Sequence, residues 1–558
     1  MNVVYFKEQE SYKIGDIKDK LAQASDKKDE IFKKLRHNAI INKRGRVNNY
    51  NLDNLDSEDM PDIVVENDSS IPSDSEEYVF NFVGVIVVCG LVVIVYPKYF
   101  STIQDSDIAN GNISDFLEKV KQVVQVIRRY NNEEKNQKIS VYADDSSYHD
   151  SNFLGLAEFF LQDYFDNGIY TNEYIILENN GNGEIDWNKT ITNNAVVIQN
   201  GIPIYVDMKT RKRVSNKYDY FKRLHECILT DISKSLCQNF DDMTQFDLAE
   251  VLDITTVELS DELIEDFGDD NYIIYMLEKE LSQQFQTRKQ ILLKAMIAYI
   301  ENKGTFNDDN TFSFYGTNRF NLIWEKACAD ALNNRLDDIV KQLKNQGFDI
   351  FVQGINEDIT LKELIDKPYW SETGEYSRKT LTPDIVSIEV NKVNENSRES
   401  TDSINVQNDY ENNSGSIGAN KEAVALENSV GSGENMKIDI VEDNRNSFVE
   451  ERGNISVDFV IYDAKYYVMT FNSLKGEPGV ESITKQYLYQ LAFKKYLIPS
   501  VYNNIKNIFI LPSDNDIHEK KGEVSLDFIN GIASPIQIIF LSAREVYKCY
   551  LERKSLNI

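Results

Sequence analysis

The sequence predicts a multidomain α/β protein: an N-terminal region containing a β-hairpin, a helical middle region, and a C-terminal α/β domain. Three observations carry that prediction. A valine-rich apolar run at 78–96 is split by Cys89-Gly90, which reads as two paired strands. Apolar residues at helical spacing dominate 218–303. From about residue 310 the pattern reads helix, strand, strand, helix, strand, strand, helix, the order of a mixed α/β domain.

Size and charge bound the function. At 558 residues and 41% hydrophobic content, the chain can bury a large core and form more than two domains. Its formal net charge of −31 argues against coating nucleic acid through a global field, because phosphate binding needs positive charge at the contact. Two basic stretches remain, Lys33 to Arg46 and Lys209 to Arg223, and each reads equally as a solvated face or a DNA contact. The cysteines at 89, 227, 237, 328 and 549 form no Cys-x-x-Cys pair. That suits a reducing, cytoplasmic compartment and offers neither a zinc cage nor a disulfide framework. The histidines at 37, 149, 225 and 518 are too scattered for metal-ligand spacing or a Ser/His triad. No signal peptide is expected, since the first apolar run begins near residue 79.

In chain order, residues 1–78 read as a helical arm passing into an acidic flexible linker, NLDNLDSEDMPDIVVENDSSIPSDSEE. Residues 79–217 read as a mixed α/β domain that binds a partner or DNA. It opens on YVFNFVGVIVVCGLVVIVYPKYF, whose unbroken apolar core is about sixteen residues, short of the roughly twenty a membrane helix needs. A glycine break between β-branched runs fits a hairpin of Tyr78–Val88 with Leu91–Tyr96 better, ended by Pro97. ISDFLEKVKQVVQVIRRY then reads as a helix and AVVIQNGIPIYVDMK as a strand pair. Residues 218–309 form the helical region, with LEKELSQQFQTRKQILLKAMIAYIENK its clearest helix. Residues 310–558 form the C-terminal domain, interrupted at 391–455 by an Asn/Ser/Glu/Gly-rich insert. That insert carries too little apolar surface to offset its ordering entropy and reads as disordered.

The chemistry-bearing residues flank the insert. Before it, KTLTPDIVSIEV places Asp384 after Pro383 at the start of an apolar strand. After it, VIYDAKYYVMTF carries Asp463 and Lys465, which share one strand face with Ile461 and Tyr467 and lie roughly 6–7 Å apart along it. Alone, an Asp-x-Lys triplet is most simply an exposed strand with a weak ion pair. Upstream, YGTNRFNLIWEKACADAL reads as a helix carrying Glu325; downstream, SITKQYLYQLAFKKYL reads as a helix with Gln490 on its aromatic-rich side. A second Asp-x-Lys, Asp207 and Lys209, lacks a preceding Pro-Asp strand and runs straight into a basic turn.

This ordered set resembles the PD-(D/E)xK nuclease superfamily. Phosphodiester hydrolysis is extremely slow without a catalyst, and a metal both polarises the phosphate and generates hydroxide. The resemblance implies Asp384 and Asp463 as Mg²⁺ ligands, the Ala464 main-chain carbonyl as a further ligand and Lys465 as the catalytic lysine. It implies Glu325 as an accessory acid and Gln490 as a positioning residue. FVGVIVVCGLVVIVYPKYF, YGTNRFNLIWEKAC, LTPDIV, VIYDAKYY and QYLYQLAF together resemble the LlaJI-type restriction endonuclease family, which is related to McrC. That resemblance implies a bacterial restriction subunit that cleaves double-stranded DNA with Mg²⁺ beside a McrB-like AAA+ GTPase. The chain has no G-x-x-x-x-G-K-[S/T] loop of its own, which fits that division of labour. A non-catalytic adaptor of an AAA+ ring and a DNA-repair nuclease of the same superfamily are the competing readings.

Overall fold

The computed structural model describes residues 2–44, 76–101, 113–133, 152–216, 218–237, 248–302, 312–348, 350–377, 380–392, 455–470, 476–498, 504–529 and 531–556. The expected acidic linker, apart from its last two residues, and all but the edges of the expected insert lie outside them. The N-terminal part runs β1 (Asn2–Lys7), β2 (Ser11–Lys13), α1 (Ile14–Ala24), α2 (Lys28–His37), β3 (Ile41–Lys43), β4 (Glu77–Phe80), β5 (Val83–Val88) and β6 (Leu91–Tyr96). The principal middle elements are α3 (Ser114–Glu133), α4 (Phe153–Asn167), β7 (Glu173–Asn179), β8 (Glu184–Ile185), β9 (Val196–Gln199), β10 (Ile202–Tyr205), β11 (Lys209–Ser215), α5 (Tyr220–Cys237), α6 (Asp270–Leu281) and α7 (Thr287–Glu301). The C-terminal part is built on β12 (Phe312–Thr317), α8 (Phe320–Ala331), β13 (Ile385–Lys392), β14 (Ile455–Ala464), α9 (Val480–Lys494), β15 (Asn504–Ser513), β16 (Glu519–Val524), β17 (Ile536–Ser542) and α10 (Ala543–Glu552).

The valine-rich run is the antiparallel hairpin β5–β6. Cys89 and Gly90, at φ 50° and 74°, supply the two left-handed residues of a type I′ turn. The hairpin is the centre of a four-stranded sheet, order β1-β6-β5-β12, with β1 parallel to β6 and β12 antiparallel to β5. Val85, Val87, Val92 and Ile94 face the core shared with α3, α4 and α5, and Ile86, Val88, Leu91 and Val93 face the core of α1 and α2. Covered on both faces, the strands have no polar alternation, which is why this stretch imitates a membrane segment. Among the described residues no helix is long and apolar enough to cross a membrane.

Four sequence expectations change. Residues 1–78 are not only a helical arm: β1 joins the main sheet, and β2, β4 and β3 make a second one in that order. The strand expected from Tyr78 to Val88 is two, since β4 belongs to the small sheet and β5 to the large one. The long helix expected up to Lys303 is also two, α6 and α7. The polar run Ser282-Gln283-Gln284 interrupts the apolar stripe, so each helix turns its own buried residues inward. The main sheet also crosses the boundaries expected at 78/79 and 309/310, because β1 and β12 lie beyond them.

The C-terminal sheet has the order β13-β14-β15-β17-β16, with parallel pairing at β14/β15 and β15/β17 and antiparallel pairing at both ends. Val460, Tyr462, Ile508, Ile510 and Leu541 pack toward α8 and α10, while Phe459, Ile461 and Phe509 face α9. Helices α3, α8 and α10 touch one another and share one apolar core with both sheets.

Gly84 and Gly316 sit opposite each other across β5 and β12. Gly84 has φ 147°, and a Cβ there would lie 2.2 Å from the Tyr315 carbonyl oxygen. Gly84→Ala is therefore expected to destabilise the protein by about 2–4 kcal/mol, through backbone strain and overpacking. Urea unfolding would show this as a lower midpoint, and an unchanged midpoint would mean the sheet opens there without cost.

Candidate active site

The two sequence-distant acids meet because of strand register. β13 and β14 pair Ile385 with Tyr462, so Asp384, one residue before the strand, stands opposite Asp463. Pro383 precedes it with its φ fixed and no N–H to satisfy. The Ala464 N–H donates to Asp384 Oδ2 at 2.9 Å, tying the carboxylate to the neighbouring strand. Asn334 holds the same residue from the other side. Its Nδ2 donates to the Asp384 carbonyl at 3.3 Å, and its Oδ1 accepts the Val386 N–H at 3.1 Å.

The Asp384 side chain is open to solvent, whereas Asp463 opposite it is buried. Burial, the charge of Asp463, a hydrogen bond with Asp463 and the charge of Glu325 push the Asp384 carboxyl well above its ordinary range, and Lys465 pulls partly back. Asp463 is only 6% exposed. Lys465 Nζ lies 3.1 Å from Asp463 Oδ1. Burial alone would lower the Lys465 pKa, but Asp463 and Asp384 outweigh it and the net shift is upward, so the ammonium keeps its proton. The pair on this strand is thus partly buried and not the exposed, weak contact that an isolated triplet suggests.

Four of the predicted residues converge: Asp384, Asp463, Lys465 and, from half-buried α8, Glu325, whose charge acts on Asp384. Ala464 contributes its N–H to the cluster. Gln490 is not brought there. Its Nε2 donates to the Ile505 carbonyl at 3.2 Å and its Oε1 accepts from Asn507 Nδ2 at 2.7 Å. Ile505 pairs with Phe459, four residues back along β14 from Asp463, or about 13 Å of strand. The carboxamide one helical turn earlier stands nearer: Gln486 Nε2 donates to the Ile461 carbonyl at 3.0 Å. Sequence reading passed over Gln486, although its spacing of four from Gln490 puts both on one helix face. It passed over Asn334 as well, whose role depends wholly on tertiary contacts.

The second Asp-x-Lys has no such setting. Asp207 Oδ1 accepts from Asn180 Nδ2 at 2.8 Å in an exposed turn, and Lys209 begins β11. Five cations of the basic stretches are matched by acids: Lys43 with Glu76, Arg44 with Glu77, Arg211 with Asp186, Lys212 with Glu178 and Arg223 with Glu262.

Among the described residues, no group of three or more His, Cys, Asp or Glu side chains could cage a metal. Mg²⁺ does not need one, since it keeps several waters and takes one or two carboxylates plus substrate phosphate oxygens. Two hard-oxygen acids held opposite each other, one of them open to solvent, fit that requirement.

Residues 82–396 and 446–544 match the LlaJI restriction endonuclease family, leaving out 397–445, inside the predicted insert. The chain belongs to the LlaJI family. It is similar to the type II restriction enzyme BsuMI component YdjA of Bacillus subtilis (strain 168), 24% identical over 494 residues, covering 87% of this chain and 83% of that one. Among solved structures it is similar to a chain of a half-complex from a tetradecameric assembly of Thermococcus gammatolerans McrB AAA+ hexamers with bound McrC. That match covers 99% of both chains at 10% identity, with a TM-score of 0.34. A second similarity, to the Thermococcus gammatolerans McrBC complex, covers 53% of this chain and 79% of that one at 11% identity, with a TM-score of 0.22.

The raised Asp384 pKa has a consequence for this family member's stability. An acid whose folded pKa lies above its unfolded value weakens the fold at pH above the folded value, and the penalty fades as pH falls through it toward the ordinary 3.8. Asp384→Asn keeps an acceptor for the Ala464 N–H and removes the charge. The variant is expected to melt above the parent at mildly alkaline pH, with the gap closing on acidification. A divalent cation should raise the parent's melting temperature and leave the variant's unchanged. A parent that melts higher at every pH would refute the repulsive pair.

Proposed function

We propose that the chain is the nuclease subunit of a bacterial restriction system, a Mg²⁺-dependent endonuclease whose C-terminal sheet is a PD-(D/E)xK domain. The observation that carries this reading is the register-set Asp384–Asp463 pair with Lys465 ion-paired to it. Asp384 and Asp463 would hold Mg²⁺, with the Ala464 carbonyl as a further oxygen donor. The bound metal supplies charge to polarise the scissile phosphate and lowers the pKa of water to give a nucleophile.

The chain's own residues do the rest. Lys465 remains protonated, so it acts as a fixed cation beside the charge that builds on the phosphorane, rather than as a base. Glu325, the second carboxylate acting on Asp384, fits an accessory acid that orients water. Ala464 and Asn334 hold Asp384 in place from opposite sides, which limits the reorganisation needed when substrate arrives. Gln490 supports the sheet behind the site.

Double-stranded DNA as substrate follows from the family. A net charge of −31 makes unaided DNA binding weak, and the chain lacks a phosphate-binding loop, so the reading includes a McrB-like AAA+ GTPase that delivers DNA.

Plasmid cleavage with Mg²⁺, with and without the neighbouring GTPase and GTP, tests the proposal. Asp463→Ala is expected to lose on the order of 10³-fold in rate, and Lys465→Ala on the order of 10²-fold. Undiminished cutting by Asp463→Ala would overturn the site. Stimulation of the GTPase by a wild-type protein that never cuts would instead identify an adaptor.

A further inference from the structure

Lys465 lies one residue past the end of β14. Its last ladder contact is its own N–H, donated to the Ile510 carbonyl at 2.9 Å. The following residue, Tyr466, points to the opposite side and is 5% exposed. Its hydroxyl donates to Glu8 Oε2 at 2.5 Å, across 458 residues of sequence. Glu8 follows β1 directly and is itself 6% exposed.

Glu8 is placed by the N-terminal sheets. Its N–H donates to the Tyr96 carbonyl at 2.9 Å, and it forms an isolated bridge with Phe80. The Lys98 N–H donates to the same Oε2 at 3.2 Å, and the Lys98 ammonium sits 4.3 Å above the Tyr466 ring. Phe320, the first residue of the helix carrying Glu325, packs against that ring with centroids 5.4 Å apart. A carboxylate in such a position is costly to bury, and an apolar side chain would fill the space without that cost. What the carboxylate adds is direction: it fixes one hydroxyl, and so one backbone position, immediately after the lysine.

We propose that Glu8 is a positioning residue for Lys465, acting through Tyr466, so that the N-terminal sheet sets where the lysine leaves the C-terminal sheet. This rests on the reading of Lys465 as part of the hydrolytic centre. Held between Ile510 on one side and Tyr466 on the other, the lysine main chain has no freedom to swing away from Asp463. Loss of the Glu8 contact frees the second anchor while the first remains.

The test uses the full-length protein as wild type, Glu8→Ala, Glu8→Gln, Tyr466→Phe, Glu8→Ala/Tyr466→Phe and Lys465→Ala. Hydrogen–deuterium exchange needs no substrate and reads the Lys465 amide directly. It is expected to speed up about 10-fold in Glu8→Ala and Tyr466→Phe, less in Glu8→Gln, with β15 unchanged. In plasmid cleavage with Mg²⁺, the GTPase and GTP, Glu8→Ala and Tyr466→Phe should each lose about 10- to 100-fold in kcat with KM for DNA unchanged. Glu8→Gln, which still accepts the hydroxyl, should recover part of that rate, and the double variant should be no slower than the slower single one. Tyr466→Phe removes one oxygen from an otherwise intact core, so it keeps the test valid where Glu8→Ala fails to fold. Unchanged exchange at Lys465, uniform loss of protection across the chain, or additive rate losses would overturn the proposal. A dead Lys465→Ala beside a normally cutting Tyr466→Phe would overturn this inference alone; a normally cutting Lys465→Ala would overturn the reading of the site itself.

Discussion

One layer of helices, buried by two sheets at once, is the constraint on which the molecule depends. Helices α3, α8 and α10 meet around Trp324, which is fully buried and lies edge-on to Tyr547 at 6.0 Å. On one side they cover Val85, Val87 and Ile94 of the N-terminal sheet, and on the other Val460, Tyr462 and Ile510 of the C-terminal sheet. Neither sheet can shift against the layer without uncovering apolar surface at about 25 cal/mol per Å². Because α8 carries Glu325 and begins at Phe320, the same layer fixes the acid cluster relative to residues several hundred positions earlier.

Within that frame the site is an electrostatically unfavourable object held by geometry. Two carboxylates facing each other across a strand pair repel, and like charges placed directly opposite destabilise a sheet. The register that forces them together is fixed by the apolar alternation of β13 and β14, since a slip of one residue would turn Ile461 and Val386 out of their core. Core packing thus sustains a charge pair that electrostatics alone would not keep.

The insert meets the β13–β14 ladder at the end away from the acids. It joins Lys392 to Ile455, the last rung of the β13–β14 ladder, whereas the acids sit beyond the first rung. About 23 Å of strand separates the two ends. The closure entropy of the chain that joins two strands grows only slowly with its length.

The sequence by itself determined the hairpin turn at Cys89-Gly90, the closeness of Asp463 and Lys465, and the order of acids and lysine around the insert. These are local properties of backbone chirality and side-chain period, readable over a few residues. It misled where Tyr78–Val88 read as one strand, which the structure divides between two sheets, and where a polar run divided a helix that composition joined. It could not place Gln490, because helical spacing gives a face but not the strand beneath it. Tertiary structure alone decided that Asp384 stands opposite Asp463, that Asn334 and Ala464 hold it, and that Glu8 reaches Tyr466. Those pairings come from sheet register and the shared helical layer, which sum small packing energies over the whole chain and leave no local trace in any one segment.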